Sequence, residues 1–118
     1  MTAERHAGSC QCGAVAFEAT VDISELVTCN CLRCQRLGSR LAFTPAANFH
    51  LLRGGDALTE YTFNRHKIRH QFCRTCGIQA FAYADAPDGT PTVAINVNCL
   101  EGVDPLTLPT RHFDGRSR

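Results

Sequence analysis

A chain of 118 residues, 44% hydrophobic and 19% charged, has the balance of an ordinary globular protein and the length of one domain, residues 1–118. Its formal net charge of +1 makes no electrostatic case for nucleic acid, and no apolar run approaches the ~20 residues needed to span a membrane. The opening MTAERHAGS has no apolar segment of the export type, so the expected compartment is the cytoplasm, where thiols stay reduced.

In chain order, GAVAFEATV (13–21) sets Val15, Phe17, Ala19 and Val21 on one side, the alternation of a half-buried strand. LRCQRLGS (32–39) is the one stretch suited to a helical turn. Residues 39–54 hold a short strand around Leu41 and Phe43 that Pro45 interrupts, and RGGD closes the segment as a turn. LTEYTFNRHKIRHQF (58–72) alternates Leu58, Glu60 and Thr62 against Thr59, Tyr61 and Phe63, with a polar turn near residues 64–67. IQAFAYAD and TVAINVNCL are two more strands, separated by the turn APDGTP. The expected class is mostly β, a small fold of short antiparallel strands with little helix. So small a sheet has a limited core and gains from a metal staple.

Seven of the eight cysteines fall into three tight groups: Cys10 with Cys12, Cys29 with Cys31 and Cys34, and Cys73 with Cys76; Cys99 stands apart. Disulfide frameworks spread their cysteines, whereas metal sites gather them into short knuckles, so the pattern reads as metal binding. Cys10, Cys12, Cys73 and Cys76 supply the four sulfurs of a closed tetrahedral site. Gly13 and Gly77 each follow a pair, where positive φ lets backbone N–H groups turn toward the sulfurs. Zinc is favoured over an iron–sulfur cluster because nothing else in the chain suggests electron transfer. The middle group has three sulfurs. Either its fourth position is open to water or substrate, as in a catalytic zinc, or Cys99 or a histidine closes it. In the open case a thiol enters as the fourth sulfur and is held as the nucleophilic thiolate.

Basic side chains cluster near both groups: Arg33, Arg36 and Arg40 about the middle one, and Lys67, Arg69 and Arg74 about the last pair. They offer a counter-charge for zinc thiolates or a grip on an anionic substrate, against the alternative of a solvated basic surface.

GSCQCGAVAFEA, CNCLRCQR, FCRTCG and INVNCLEGVDP…HFDGRS, in that order, resemble the glutathione-dependent formaldehyde-activating (GFA) family over almost the whole chain. The resemblance implies a mostly β, tent-like fold with two zinc ions. Cys10, Cys12, Cys73 and Cys76 match the structural site, and Cys29, Cys31 and Cys34 the catalytic one. It further implies a carbon–sulfur lyase that joins glutathione to formaldehyde or a related small aldehyde, giving S-(hydroxymethyl)glutathione. The family commonly reads C-H-C-x-x-C-R at the catalytic group; here Asn30 takes the His place and Gln35 the Arg place. Neither is a sulfur ligand, so both bear on the pocket rather than on the metal. Cys99 is expected as a plain buried thiol, and His66, His70 and His112 as packing or surface residues. His112 and Phe113 stand on a C-terminal tail able to fold over an open site. The competing expectation is a non-catalytic module with two structural zinc sites that recruits a protein partner.

Overall fold

The computed structural model describes residues 3–117. Among the described residues, ten strands form two sheets. In the first, β2 (Ala16–Val21) lies between β1 (Glu4–Ser9) and β5 (Phe49–Arg53), antiparallel to both. The second runs in the order β10 (Thr110–Phe113), β3 (Leu26–Cys29), β4 (Leu41–Pro45), β9 (Pro91–Asn96), β8 (Gln79–Asp85), β7 (Arg69–Cys73) and β6 (Leu58–Tyr61). Its pairings are antiparallel except that of β10 with β3, which is parallel. The α-helix described, α1 (Leu32–Leu37), fills the place of the expected helical turn.

The alternation of residues 13–21 has its physical cause in the core. Val15, Phe17, Ala19 and Val21 are all buried. Phe17 stacks on Phe49 of β5 with ring centroids 5.4 Å apart and meets the edge of Phe81 of β8 at 5.7 Å. One ring thereby joins the two sheets, and burying a side chain of that size contributes roughly 1.5–3 kcal/mol. On β4 the inward residues are Ala42 and Thr44, and Thr44 Oγ1 donates to the Thr20 carbonyl at 2.7 Å, a second tie between the sheets.

The turn expected near residues 64–67 lies between β6 and β7, with Asn64 and His66 in the left-handed region. APDGTP joins β8 to β9, its Asp88 carboxylate accepting the Thr90 N–H at 3.0 Å. Four strands have no counterpart in the sequence reading: β1, β3, β5 and β10. β1 and β10 are edge strands, and the side chains of β10 are exposed throughout. Backbone pairing holds such strands, and it leaves no alternation of apolar residues to read. No helix of the described residues is long and apolar enough to cross a membrane.

Candidate metal centres

The first pair sits in the turn between β1 and β2. Cys10 donates its N–H to the Val15 carbonyl at 3.1 Å, and the Val15 N–H donates back to Cys10 Sγ at 3.3 Å. The second pair closes the β7–β8 turn in the same way. Cys73 donates to the Ile78 carbonyl at 3.0 Å, and the Thr75 N–H points at Cys73 Sγ at 3.4 Å. Gly13 and Gly77 take φ of 81° and 80°, the positive values expected of them. With these two turns apposed, all four sulfurs lie within 4.8 Å of one another.

The chemistry of the four-sulfur set fits zinc. Cys12 Sγ lies 3.7 Å from both Cys10 Sγ and Cys73 Sγ. A tetrahedron with zinc–sulfur bonds of about 2.3 Å has edges of about 3.8 Å. As bare thiols the sulfurs share protons unevenly. Cys12 is pushed up to about 11: the Ala14 N–H draws it down, but burial and its sulfur neighbours outweigh that bond. Cys76 falls to about 6, because the N–H groups of Cys12 and Ile78 prevail over burial. A divalent cation among them removes the mutual repulsion that keeps such thiols from ionising together.

The three-sulfur set is built by α1. Cys31 is the N-cap of that helix, its sulfur accepting the Cys34 N–H at 3.3 Å, and the Cys31 N–H points at Cys29 Sγ at 3.4 Å. Cys29, Cys31 and Cys34 thus converge within 4.8 Å, and all three are half-buried. Burial pushes the Cys29 and Cys34 thiols up. Cys31 goes down, because the N–H and thiol of Cys34 outweigh its burial. Among the described residues no further His, Cys, Asp or Glu joins either set. Cys99 is half-buried and pushed up to about 11 by burial and by Cys10 and Cys76, which places it on the four-sulfur side. Of the histidines, His66 meets Thr62 Oγ1 at 2.8 Å, and His112 meets Thr28 Oγ1 at 2.9 Å, one residue short of Cys29.

The arginines divide. Arg33, between Cys31 and Cys34, donates its Nε to Gln79 Oε1 at 2.8 Å and lies over the Tyr61 ring at 4.8 Å. Arg36 folds back on the Leu32 carbonyl at 2.9 Å, and Arg69 lies over Tyr83. Leu32, Arg33, Arg36, Tyr61 and Phe63 line a groove of about 330 Å³. Beneath it, buried His70 stacks on Phe63 and meets Gln79 Nε2 through Nδ1 at 3.1 Å. Burial, then the charge of Arg33, brings His70 down to about 4, so it is neutral at physiological pH. The shared face of Tyr61 and Phe63 was legible in the alternation of residues 58–63; Gln79 carried no such signal.

The C-terminal tail does cross the three-cysteine group. β10 pairs in parallel with β3 so that Phe113 faces Cys29, and a Cβ built on Gly115 would fall 2.5 Å from Cys29 Sγ. Asn30 Nδ2 donates to Asp114 Oδ1 at 3.0 Å, while Arg116 donates its N–H to Asn30 Oδ1 at 2.9 Å and an Nη2 hydrogen to Gln35 Oε1 at 2.7 Å.

Comparison with known proteins gives a match to the family model described as glutathione-dependent formaldehyde-activating enzyme over residues 5–113. Among solved structures, a Rhodobacter sphaeroides protein determined by structural genomics is 32% identical. The alignment covers 89% of this chain and 99% of that one, with a TM-score of 0.78.

Proposed function

We propose, from the premise that this chain belongs to the glutathione-dependent formaldehyde-activating enzyme family, that it joins a glutathione-type thiol to formaldehyde or a related small aldehyde. The thiol adds to the carbonyl carbon: a carbon–sulfur bond forms, the carbonyl π pair moves to oxygen, and the thiol proton ends on that oxygen. The product is a hydroxymethyl thioether, and the class is carbon–sulfur lyase.

The observation that carries this reading is the inequality of the two sulfur sets. Four sulfurs converge at one and three at the other, with no fourth ligand residue among those described. Cys10, Cys12, Cys73 and Cys76 would hold a structural zinc, and Cys29, Cys31 and Cys34 a catalytic one. A zinc held by three thiolates supplies the Lewis acidity that keeps an incoming thiol ionised at neutral pH. The chain's own residues do the rest. The Cys34 and Cys31 N–H groups steady the sulfurs of Cys31 and Cys29. Arg33, stacked on Tyr61 and braced by Gln79, turns a guanidinium toward the groove beside them, suited to a carboxylate of the tripeptide.

Exchange spectroscopy by NMR on glutathione and formaldehyde, with and without protein, tests the reading. The two react spontaneously, so the expected result is an interconversion rate that rises above background in proportion to protein concentration. A rate equal to background overturns it.

A further inference from the structure

Asn30 and Gln35 sit among the cysteines of the three-sulfur set without contributing a sulfur to it. Their side chains are spent on the C-terminal tail. The Asn30 amide is used at both ends: its NH₂ reaches the Asp114 carboxylate at 3.0 Å, and its oxygen accepts the Arg116 N–H at 2.9 Å. Its backbone N–H adds a bond to the Phe113 carbonyl at 3.3 Å. A side chain that donates and accepts at once is required at this point, and an amide supplies both groups. Gln35, exposed on α1, takes the Arg116 guanidinium at 2.7 Å. Ser117 Oγ then closes the loop on the other oxygen of Asp114 at 2.7 Å.

The clasp lays backbone across a reactive group. Between its two anchors, Asp114 and Arg116, runs Gly115, where a Cβ would meet Cys29 Sγ at 2.5 Å and Cys31 Cβ at 3.6 Å. No side chain fits there while the tail is clasped. The tail is thus one wall of the three-cysteine site, on the Cys29 side.

We infer that Asn30 and Gln35 are positioning residues that fasten residues 114–116 over Cys29, and that this wall limits access to whatever the three sulfurs hold. The inference rests on the reading of Cys29, Cys31 and Cys34 as a zinc-binding set. It predicts that the two metal sites of the loaded protein give up their ions at rates that the clasp alters at one site only.

The test is zinc capture by the chromogenic chelator 4-(2-pyridylazo)resorcinol, followed by absorbance on protein loaded with two zinc ions. Asn30→Ala/Gln35→Leu removes three hydrogen-bonding groups and should speed release from the three-cysteine set about tenfold, leaving the four-cysteine phase unchanged. Gly115→Ala keeps both anchoring side chains, Asn30 and Gln35, but its Cβ forces the tail off Cys29 and should speed the same phase by displacing the wall. Gln35→Glu, which still accepts from Arg116, should stay within about twofold of the parent. An unchanged three-cysteine phase in either of the first two variants overturns the inference, as does a quickening of both phases together, which marks general loosening.

If the purified protein carries metal in the four-cysteine set alone, the zinc reading of the other set has failed. The wall is then judged by iodoacetamide labelling of Cys29 relative to Cys34, read by mass spectrometry. The expected rise is about tenfold in the same variants, and equal labelling overturns it. Neither readout uses an aldehyde, so an absence of turnover with formaldehyde fails the functional reading and leaves the wall standing.

Discussion

Cys12 and Cys73 stand 61 positions apart in the chain and hold their sulfurs 3.7 Å apart. That contact closes a loop running from the turn before β2 to the end of β7, and so ties the three-stranded sheet to the seven-stranded one. A metal at this point is a folding element, because closing so long a loop is costly in entropy without it. Metal analysis of the purified protein should therefore give two zinc ions per chain. Cys73→Ala should give one or none, and should lose cooperative thermal unfolding or several kcal/mol of stability, on the order expected for a structural zinc. A variant that keeps the parent's melting temperature contradicts the structural assignment.

Cys31→Ala should behave differently. Its sulfur caps α1, so some helix stability is lost, about 1 kcal/mol. The core built on Phe17, Phe49 and Phe81 lies elsewhere and should survive. The expected protein has parent-like circular dichroism, one zinc, and no thiol-dependent change in the spectrum of the cobalt-substituted form. Global unfolding of this variant argues against a division into structural and catalytic sets.

The cysteine groups were readable because a sulfur set is local: each knuckle spans at most six residues, and the glycines at 13 and 77 mark the turns that aim N–H groups at the sulfurs. The strand alternating Val15, Phe17, Ala19 and Val21 was readable because one face meets the core. Asn30 and Gln35 depart from the family pattern, which is visible in the sequence, yet their partners lie more than 80 positions away and only the register of β10 on β3 brings them near. His70 offered still less. Flanking KIR it reads equally as a packing or a surface residue, and the packing role, burial against Phe63, follows from the turn at residues 64–67, where the chain doubles back.

Buried His70 sets a pH dependence. Its ordinary value of 6.5 applies in the unfolded chain, while in the folded protein burial, then Arg33, holds it at about 4. Between these values the unfolded chain binds a proton that the native state refuses, so stability is full above about 6.5 and falls as pH drops toward 4. One group shifted this far costs about 2 kcal/mol between pH 7 and pH 5. His70→Gln keeps an acceptor for Gln79 and does not titrate. Urea unfolding at matched zinc content should show a shallower decline for the variant over that interval; parallel declines would remove His70 as the source.

Arg33 supplies the sharpest test of substrate class. Its Nε is committed to Gln79 and its plane to Tyr61 and Phe72, so the fork is held in place before any ligand arrives. A carboxylate meeting such a fork gains charge-assisted hydrogen bonds worth about 1.5–3 kcal/mol. Arg33→Lys keeps the charge but gives up both the fork and the stacking plane. The expected outcome is a KM for glutathione raised by roughly tenfold to a hundredfold with kcat little changed, since the lost contact is the same in ground and transition states. The control is 2-mercaptoethanol, a thiol with no carboxylate, whose kinetics should not move. If both thiols lose equally, Arg33 acts on the three-cysteine set itself, as a counter-charge between Cys31 and Cys34, and the groove beside it is not where the tripeptide's carboxylate binds.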